Sequence, residues 1–436
     1  MNINDEFTLK ITGITFDGAG VGRKDGMVVF VPGAIDGETV RVRVKELKKS
    51  YATAGTTEIT EESPYRREPF CPDYARCGGC GLQHMSYEHQ LELKRGAVTD
   101  SLERIGGFKG VRVNPVIGMD EPFYYRNKAR YPVGESRGKT VSGFYAGNSH
   151  EIIDIDNCLI QDPASERIRK AVTNAIEEYE ISGISHIVTR VSGSTGDVML
   201  ILESDMKNIP RIDKLVTRIT AGIPEIKSIV LNVKSTDKTI TLFGDDSLKD
   251  TLSKLEFRVP PLSFFQVNHT QTAVLYEKAV EFAGLTGCET VFDLYCGIGS
   301  ITLFLAARAK KAIGVEVFKE AVDAARQNAL INNITNVEFY AGRAEDVIPR
   351  LYEKGEKADV VVADPPRKGC DKALLETIIK IRPARIVYVS CNPSTLARDL
   401  KTLCETEYSI REVQPVDMFP WTEHVECVTL MSRIKK

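Results

Sequence analysis

In residues 39–50, TVRVRVKELKKS, Val40, Val42 and Val44 alternate with Arg41, Arg43 and Lys45. Alternation with period two puts successive side chains on opposite faces, so the stretch predicts a strand that buries valines and shows a basic face, extended by Lys48 and Lys49. With the apolar run MVVFVPG and the glycine-rich turns before it, residues 1–60 read as a small β-barrel of the kind that binds an RNA backbone. A solvated edge strand has the same pattern. Residues 61–258 mix helix and strand. Within them YYRNKARYP sets Arg126, Lys128 and Arg130 on one face of a strand, flanked by Tyr124, Tyr125 and Tyr131, which suits phosphates and unstacked bases as well as it suits a salt-bridged surface. From 259 to 436 strands and helices alternate. ETVFDLYCGIGSITLFLA reads as strand, turn and helix; KAIGVEV, VEFYA, ADVVVADPP and ARIVYVS are further apolar strands; FKEAVDAARQNALINN is a helix with Val322, Ala325 and Ala329 on one face. This rhythm predicts a doubly wound parallel sheet. The last run, EHVECVTLMSRIKK, follows another strand without room for a crossover helix, so it should run antiparallel, at or near the sheet edge. The fold class is multidomain α/β: a barrel, a central α+β segment and a Rossmann-like C-terminal domain.

Length agrees, because 436 residues exceed one ordinary core. Hydrophobic content of 42% with 27% charged residues is soluble usage, and no apolar run is long enough to cross a bilayer. MNINDEFTLK lacks the basic start and apolar stretch of a signal peptide, so a cytoplasmic protein is expected; a monomer without membrane association is the further expectation. A net charge of −3 leaves nucleic-acid binding to the local basic stripes. In a reducing compartment the ten cysteines read as metal ligands or nucleophiles rather than disulfides.

In a doubly wound sheet the ligand lies over the carboxyl ends of the strands. Here the first turn is DLYCGIGS, where Gly297 and Gly299 allow close backbone approach, and Glu316 ends the next strand, placed to bond a ribose. The turn lacks the third glycine of a dinucleotide fingerprint, and with an antiparallel final strand this favours S-adenosylmethionine over NAD. Cys296 in the same turn reads as packing. ADPPRKG makes a rigid loop that holds the Asp364 carboxylate over the site. Amino-group methyltransferases of RNA or DNA close a similar loop with an aromatic residue; here Arg367 stands in that place.

Cys391 in YVSCNPSTL ends the strand after Asp364, with a helix expected to start near Pro393. A helix N-terminus favours a thiolate. Methylating C5 of a uracil calls for such a thiolate: addition to C6 turns the ring into an enolate that is nucleophilic at C5, and a base then removes the C5 proton. His424 and Glu426 alternate on one face of the last strand, and both are candidate bases on spacing. Cys71, Cys77 and Cys80 form C-x5-C-x2-C, and Cys158 is a plausible fourth ligand. Zinc would accept four thiolates, or three with His84.

DLYCGIGS, ADPPRKG, VSCNPSTLARDL and FPWTEHVE, in this order, resemble the RNA uracil-5-methyltransferase family over nearly the whole chain. The resemblance implies Cys391 as nucleophile, Glu426 as base with His424 a neighbour, and Gln266, Tyr295, Glu316 and Asp364 as S-adenosylmethionine contacts. Ser300 stands where relatives often carry Asn at the cofactor. The same resemblance implies a [4Fe-4S] cluster on Cys71, Cys77, Cys80 and Cys158 and an N-terminal OB-like TRAM β-barrel; because methyl transfer by this mechanism consumes no electrons, the cluster is expected to have a structural role in shaping the RNA groove. It also implies the 23S ribosomal RNA branch, since the tRNA branch typically lacks both barrel and cluster, and a flipped target base. A non-catalytic iron-sulfur RNA-binding protein is disfavoured by the nearly complete cofactor set.

Overall fold

The computed structural model describes residues 1–434 apart from positions 148, 237 and 406. Strands β1 (Glu6–Ile14), β2 (Ala19–Lys24), β3 (Met27–Pro32), β4 (Thr39–Leu47) and β5 (Tyr51–Glu61) close into a barrel in the order β1-β2-β3-β5-β4. Val40, Val42 and Val44 fill it while Arg41, Arg43 and Lys45 face outward, as the period of two requires. The strands close tightly because a side chain at Gly22 would sit 2.7 Å from Leu9 Cγ and Lys10 O. The outward arginines have carboxylate partners: Arg43 pairs with Glu6 at 2.5 Å and Arg41 with Glu58 at 3.8 Å. The basic face read from β4 is therefore partly neutralised from neighbouring strands.

Helix α1 (Tyr87–Ser101) follows, with Ser86 Oγ accepting the His89 N–H at its N-terminus. Next come β6 (Lys128–Ser136), β7 (Lys139–Ser142), the short pair β8 (Phe144–Tyr145) and β9 (Ile152–Ile153), then α2 (Pro163–Glu178), β10 (Ile184–Val191), β11 (Val198–Ser204), α3 (Ile212–Gly222), β12 (Ile226–Val233) and β13 (Lys238–Gly244). The longer strands form a sheet ordered β13-β12-β11-β10-β6-β7, packed on α2 and α3. Lys128 and Arg130 lie on β6. Arg126 precedes it, bridged to Gln161 and Asn268, so the expected basic stripe is not one strand face.

The C-terminal part begins with the hairpin β14 (Leu248–Leu252) and β15 (Leu255–Val259), followed by α4 (His269–Ala283), β16 (Thr290–Leu294), α5 (Ser300–Ala306), β17 (Lys311–Glu316), α6 (Lys319–Ile331), β18 (Val337–Ala341), α7 (Ala344–Glu353), β19 (Val360–Ala363), α8 (Lys372–Ile381), β20 (Arg385–Ser390), α9 (Pro393–Cys404), β21 (Tyr408–Val416) and β22 (Glu426–Arg433). The sheet runs β18-β17-β16-β19-β20-β22-β21. Its first five strands are parallel, and β22 is antiparallel to both neighbours, one place in from the edge.

Packing crosses the segments that the sequence rhythm separates. Val98 and Leu102, on α1 and just after it, join Val113, Ile386 and Leu400 in the C-terminal core. Leu252 and Phe257 of the β14–β15 hairpin pack with Leu275 and Val291. Among the described residues no helix is long and apolar enough to cross a membrane.

Candidate active site and the four-cysteine cavity

The order reverses between β16 and β19, the point at which a doubly wound sheet takes its ligand in a crevice beyond the carboxyl ends of the strands. After β16 the chain turns through Tyr295, Gly297 and Gly299, all at positive φ, which brings backbone close to any ligand in the crevice. Glu316 at the end of β17 accepts the N–H of Gly297 (3.1 Å) and of Phe318 (3.0 Å). Ser300, first residue of α5, is 3.1 Å from the Tyr276 hydroxyl. Gln266 is buried before α4 and accepts Asn127 Nδ2 on its carbonyl at 3.4 Å; among the described residues no polar contact ties its side chain to the crevice.

Asp364 follows β19. The Pro-Pro loop after it is strapped to α9: Thr395 Oγ1 donates to Arg367 O (3.2 Å), Arg398 Nη2 to Lys368 O (2.8 Å), and the Cys370 N–H to Asp399 Oδ2 (2.8 Å). Cys391 follows β20, as expected, and Asn392 caps α9 by accepting the N–H groups of Ser394 and Thr395. Ser390 pairs across the ladder with Cys427, so Cys391 comes to lie beside Glu426, the first residue of β22. His424 is not on that strand. It lies in the turn before it, 3.5 Å from Arg367 Nη2 and edge-on to Phe419.

Burial pushes the Asp364 carboxyl up to about 7. Burial and Asp364 together hold Glu426 well above the usual carboxylate range, against the opposing pull of Arg367. Cys391 is pushed up to about 11, by burial first and then by Glu426 and Asp364. The sequence predicts a depressed thiol, and the thiol is raised: burial is the largest cause and two carboxyl groups add to it, while Asn392 takes the first N–H groups of α9. Asp293 on β16 was missed as a site residue. Its Oδ2 accepts Thr302 Oγ1 at 2.5 Å, its Oδ1 is buried without a partner, and burial with Asp364 and Glu316 nearby raises it to about 7. The signal was its place as first residue of the glycine turn motif.

Cys71, Cys77, Cys80 and Cys158 line a single cavity of about 390 Å³. Burial raises every thiol, Cys80 to about 12 and Cys158 to about 11; Cys71 adds to the rise of Cys77, Cys77 to that of Cys158, and Cys158, Cys77 and Cys71 to that of Cys80. Lys128 also lines the cavity, with no ion pair among the described residues, and burial lowers it to about 8. His84 is outside the lining, its Nδ1 2.7 Å from the Tyr74 hydroxyl. Among the described residues no three His, Cys, Asp or Glu side chains stand close enough to hold one metal ion.

Residues 220–434 match the model of the tRNA (uracil-5-)-methyltransferase family, and residues 2–55 match the TRAM domain. Relatives described as uncharacterized RNA methyltransferases are 47% identical in Halalkalibacterium halodurans, over 99% of this chain and 98% of that one, and 47% identical in Bacillus cereus, over 97% and 95%. The chain belongs to the RNA uracil-5-methyltransferase family. As a member it is an S-adenosylmethionine-dependent RNA methyltransferase with an N-terminal TRAM barrel. A solved structure, the Pyrococcus abyssi tRNA (uracil-54, C5)-methyltransferase in complex with S-adenosyl-L-homocysteine, is 28% identical with a TM-score of 0.75, covering 98% of this chain and all of that one. A tRNA enzyme of the family thus shares this architecture from end to end, and the barrel does not separate the ribosomal branch from the tRNA branch.

Proposed function

We propose that the chain, a cytoplasmic monomer, methylates C5 of a uridine in 23S ribosomal RNA, with Cys391 as nucleophile and Glu426 as base. The observation that carries this reading is the convergence of one thiol and one buried carboxyl at the ends of adjacent strands, beside the cofactor crevice. The Cys391 thiolate adds to C6, C5 takes the methyl group, Glu426 removes the C5 proton, and the C6–S bond then breaks to restore the ring. Addition of a thiol to C6 and methylation at C5 need both faces of the ring free, so the base is expected to leave its stack. Gln266, Tyr295, Ser300, Glu316 and Asp364 are read as cofactor contacts. When bound, S-adenosylmethionine would supply the methyl group and, through its sulfonium, a positive charge that would favour ionisation of the Cys391 thiol. A tRNA substrate is the second reading, supported by the end-to-end likeness to the archaeal tRNA enzyme.

Two measurements test the reading. In cells lacking the gene, 5-methyluridine should vanish from one or more 23S positions; loss from tRNA alone would select the second reading. Cys391→Ala should abolish methylation and keep cofactor binding, and RNA carrying 5-fluorouridine should trap a stable adduct on the parent enzyme. Substantial turnover by the alanine variant would exclude the thiol mechanism.

The four cysteines fit a [4Fe-4S] cluster better than a zinc ion. One zinc draws its donors to within about 2.3 Å of a single point, whereas a cluster gives each thiolate its own iron and leaves the thiols spread round a cavity. The cluster would supply the positive iron charge that stabilises buried thiolates. Protein purified without oxygen should carry about four irons per chain. Stoichiometric zinc would overturn the assignment.

A further inference from the structure

Trp421 is the sole tryptophan of the chain, and it lies in the turn between β21 and β22, three residues before His424 and five before Glu426. Its backbone is in the left-handed region, φ +68°, where a bulky residue stays only if its surroundings hold it. They do so from every side. Gly81 and Leu82, next in sequence after Cys80, both donate their N–H groups to the Trp421 carbonyl at 3.1 Å. The Trp421 N–H donates to Gln90 Oε1 (3.1 Å) and the indole Nε1 to Pro122 O (2.7 Å). The ring sits against Phe70 and Phe123, with centroids 5.0 and 5.4 Å away, in a cluster that includes Cys80 and Cys158. A side chain at Gly81 would come within 3.3 Å of Glu423 Oε2, so the cysteine loop lies directly on the turn.

We propose that Trp421 is a positioning residue that couples the four-cysteine loop to the catalytic base: the loop holds the Trp421 turn, and the turn fixes where β22 begins and hence where Glu426 stands beside Cys391. The inference rests on Glu426 as base and on the cysteines as cluster ligands. It gives the cluster a role besides shaping the RNA groove, because a group bound by Cys80 and Cys158 stiffens the segment that grips the turn. Proton removal from C5 then depends on the loop, while addition of Cys391 to C6 and methyl transfer do not.

The test uses the full chain carrying Trp421→Ala or Trp421→Phe. With methyl-labelled cofactor, the alanine variant should lose about ten- to a hundredfold in kcat, as a misplaced catalytic group does, with KM for RNA and cofactor within about twofold of the parent. Labelled RNA should accumulate as an adduct on Cys391, visible on a denaturing gel. The phenylalanine variant, which keeps the ring in the aromatic cluster, should recover most of the rate and show little adduct. Parent-like kcat in the alanine variant, or loss of cofactor binding and adduct formation in step with kcat, would overturn the coupling. Glu426→Gln is run alongside: if it traps no adduct, the base assignment falls, and a kcat loss rescued by phenylalanine still carries the positioning role. Stripping iron from the parent should shift the Trp421 emission to the red, and unchanged emission would break the link to the loop. If the protein is purified without iron, the cluster reading fails, and Cys80→Ala, read by the same emission, tests the loop instead.

Discussion

Cys391 is surrounded by groups that resist its ionisation, since Glu426 and Asp364 add to burial in raising it to about 11. A raised thiol pKa means less thiolate at a given pH. In the protein alone, alkylation of Cys391 followed by peptide mass spectrometry should be slower at neutral pH than for a free cysteine of pKa about 8.5, and should still be accelerating above pH 9. A rate that levels off near pH 8 would contradict this. The two candidate bases separate by what they trap. Glu426→Gln permits thiolate addition and methyl transfer but stalls elimination, so methylated RNA should remain on Cys391; His424→Gln should slow turnover without that species. The reverse outcome would reassign the base. At this scale the sequence reveals strand ends well, because Cys391 directly follows one apolar run and Glu426 opens another. It does not reveal a thiol's ionisation, which depends on Asp364 and Arg367 of the loop after β19 and on Glu426 of β22 arriving from two other segments. Nor does alternation say where a strand starts, which is why His424 belongs to a turn.

At the scale of elements, α1 is the one that periodicity hides. Its buried face carries His89, Gln90, Lys94 and Val98, so no apolar stripe marks it as part of the catalytic core. Lys94 and Asp417 are both buried, 2.6 Å apart; Lys94 also donates to Phe419 O (3.1 Å) and Asp417 accepts the Tyr87 hydroxyl (2.8 Å). Removing one charge strands the other. Lys94→Met should cost about 3–5 kcal/mol in urea unfolding. The double variant with Asp417→Asn should cost less than the sum of the singles, since neither charge is then left alone. Additive costs would mean that the pair does not act as a unit. By contrast β4 was fully legible as a strand, yet the partners of its arginines, Glu6 and Glu58, lie on other strands and cannot be foreseen from β4 itself.

At the scale of the molecule, the catalytic sheet is completed by chain that precedes the middle sheet in sequence. Val98, Leu102 and Val113 cover apolar surface on the C-terminal domain, and β14–β15 covers more. A fragment spanning 259–436 should therefore lack the cooperative unfolding transition of the full chain and fail to bind cofactor in calorimetry. A sharp transition with parent-like affinity would show that the sheet stands alone. The doubly wound order was readable because each βα unit is local. The contribution of α1 was not, since nothing in residues 87–101 advertises a partner three hundred residues away.

The last strand, hydrogen-bonded on both edges, has a consequence for how this enzyme tolerates change. Side chains on β22 alternate between the pocket and the opposite face, so which one meets the nucleophile is a matter of parity. Dropping one residue from the stretch between β21 and β22 would swing Glu426 away and offer the Cys427 thiol in its stead. Drift in this family should therefore proceed by exchange of residues in that connection and seldom by change of its length.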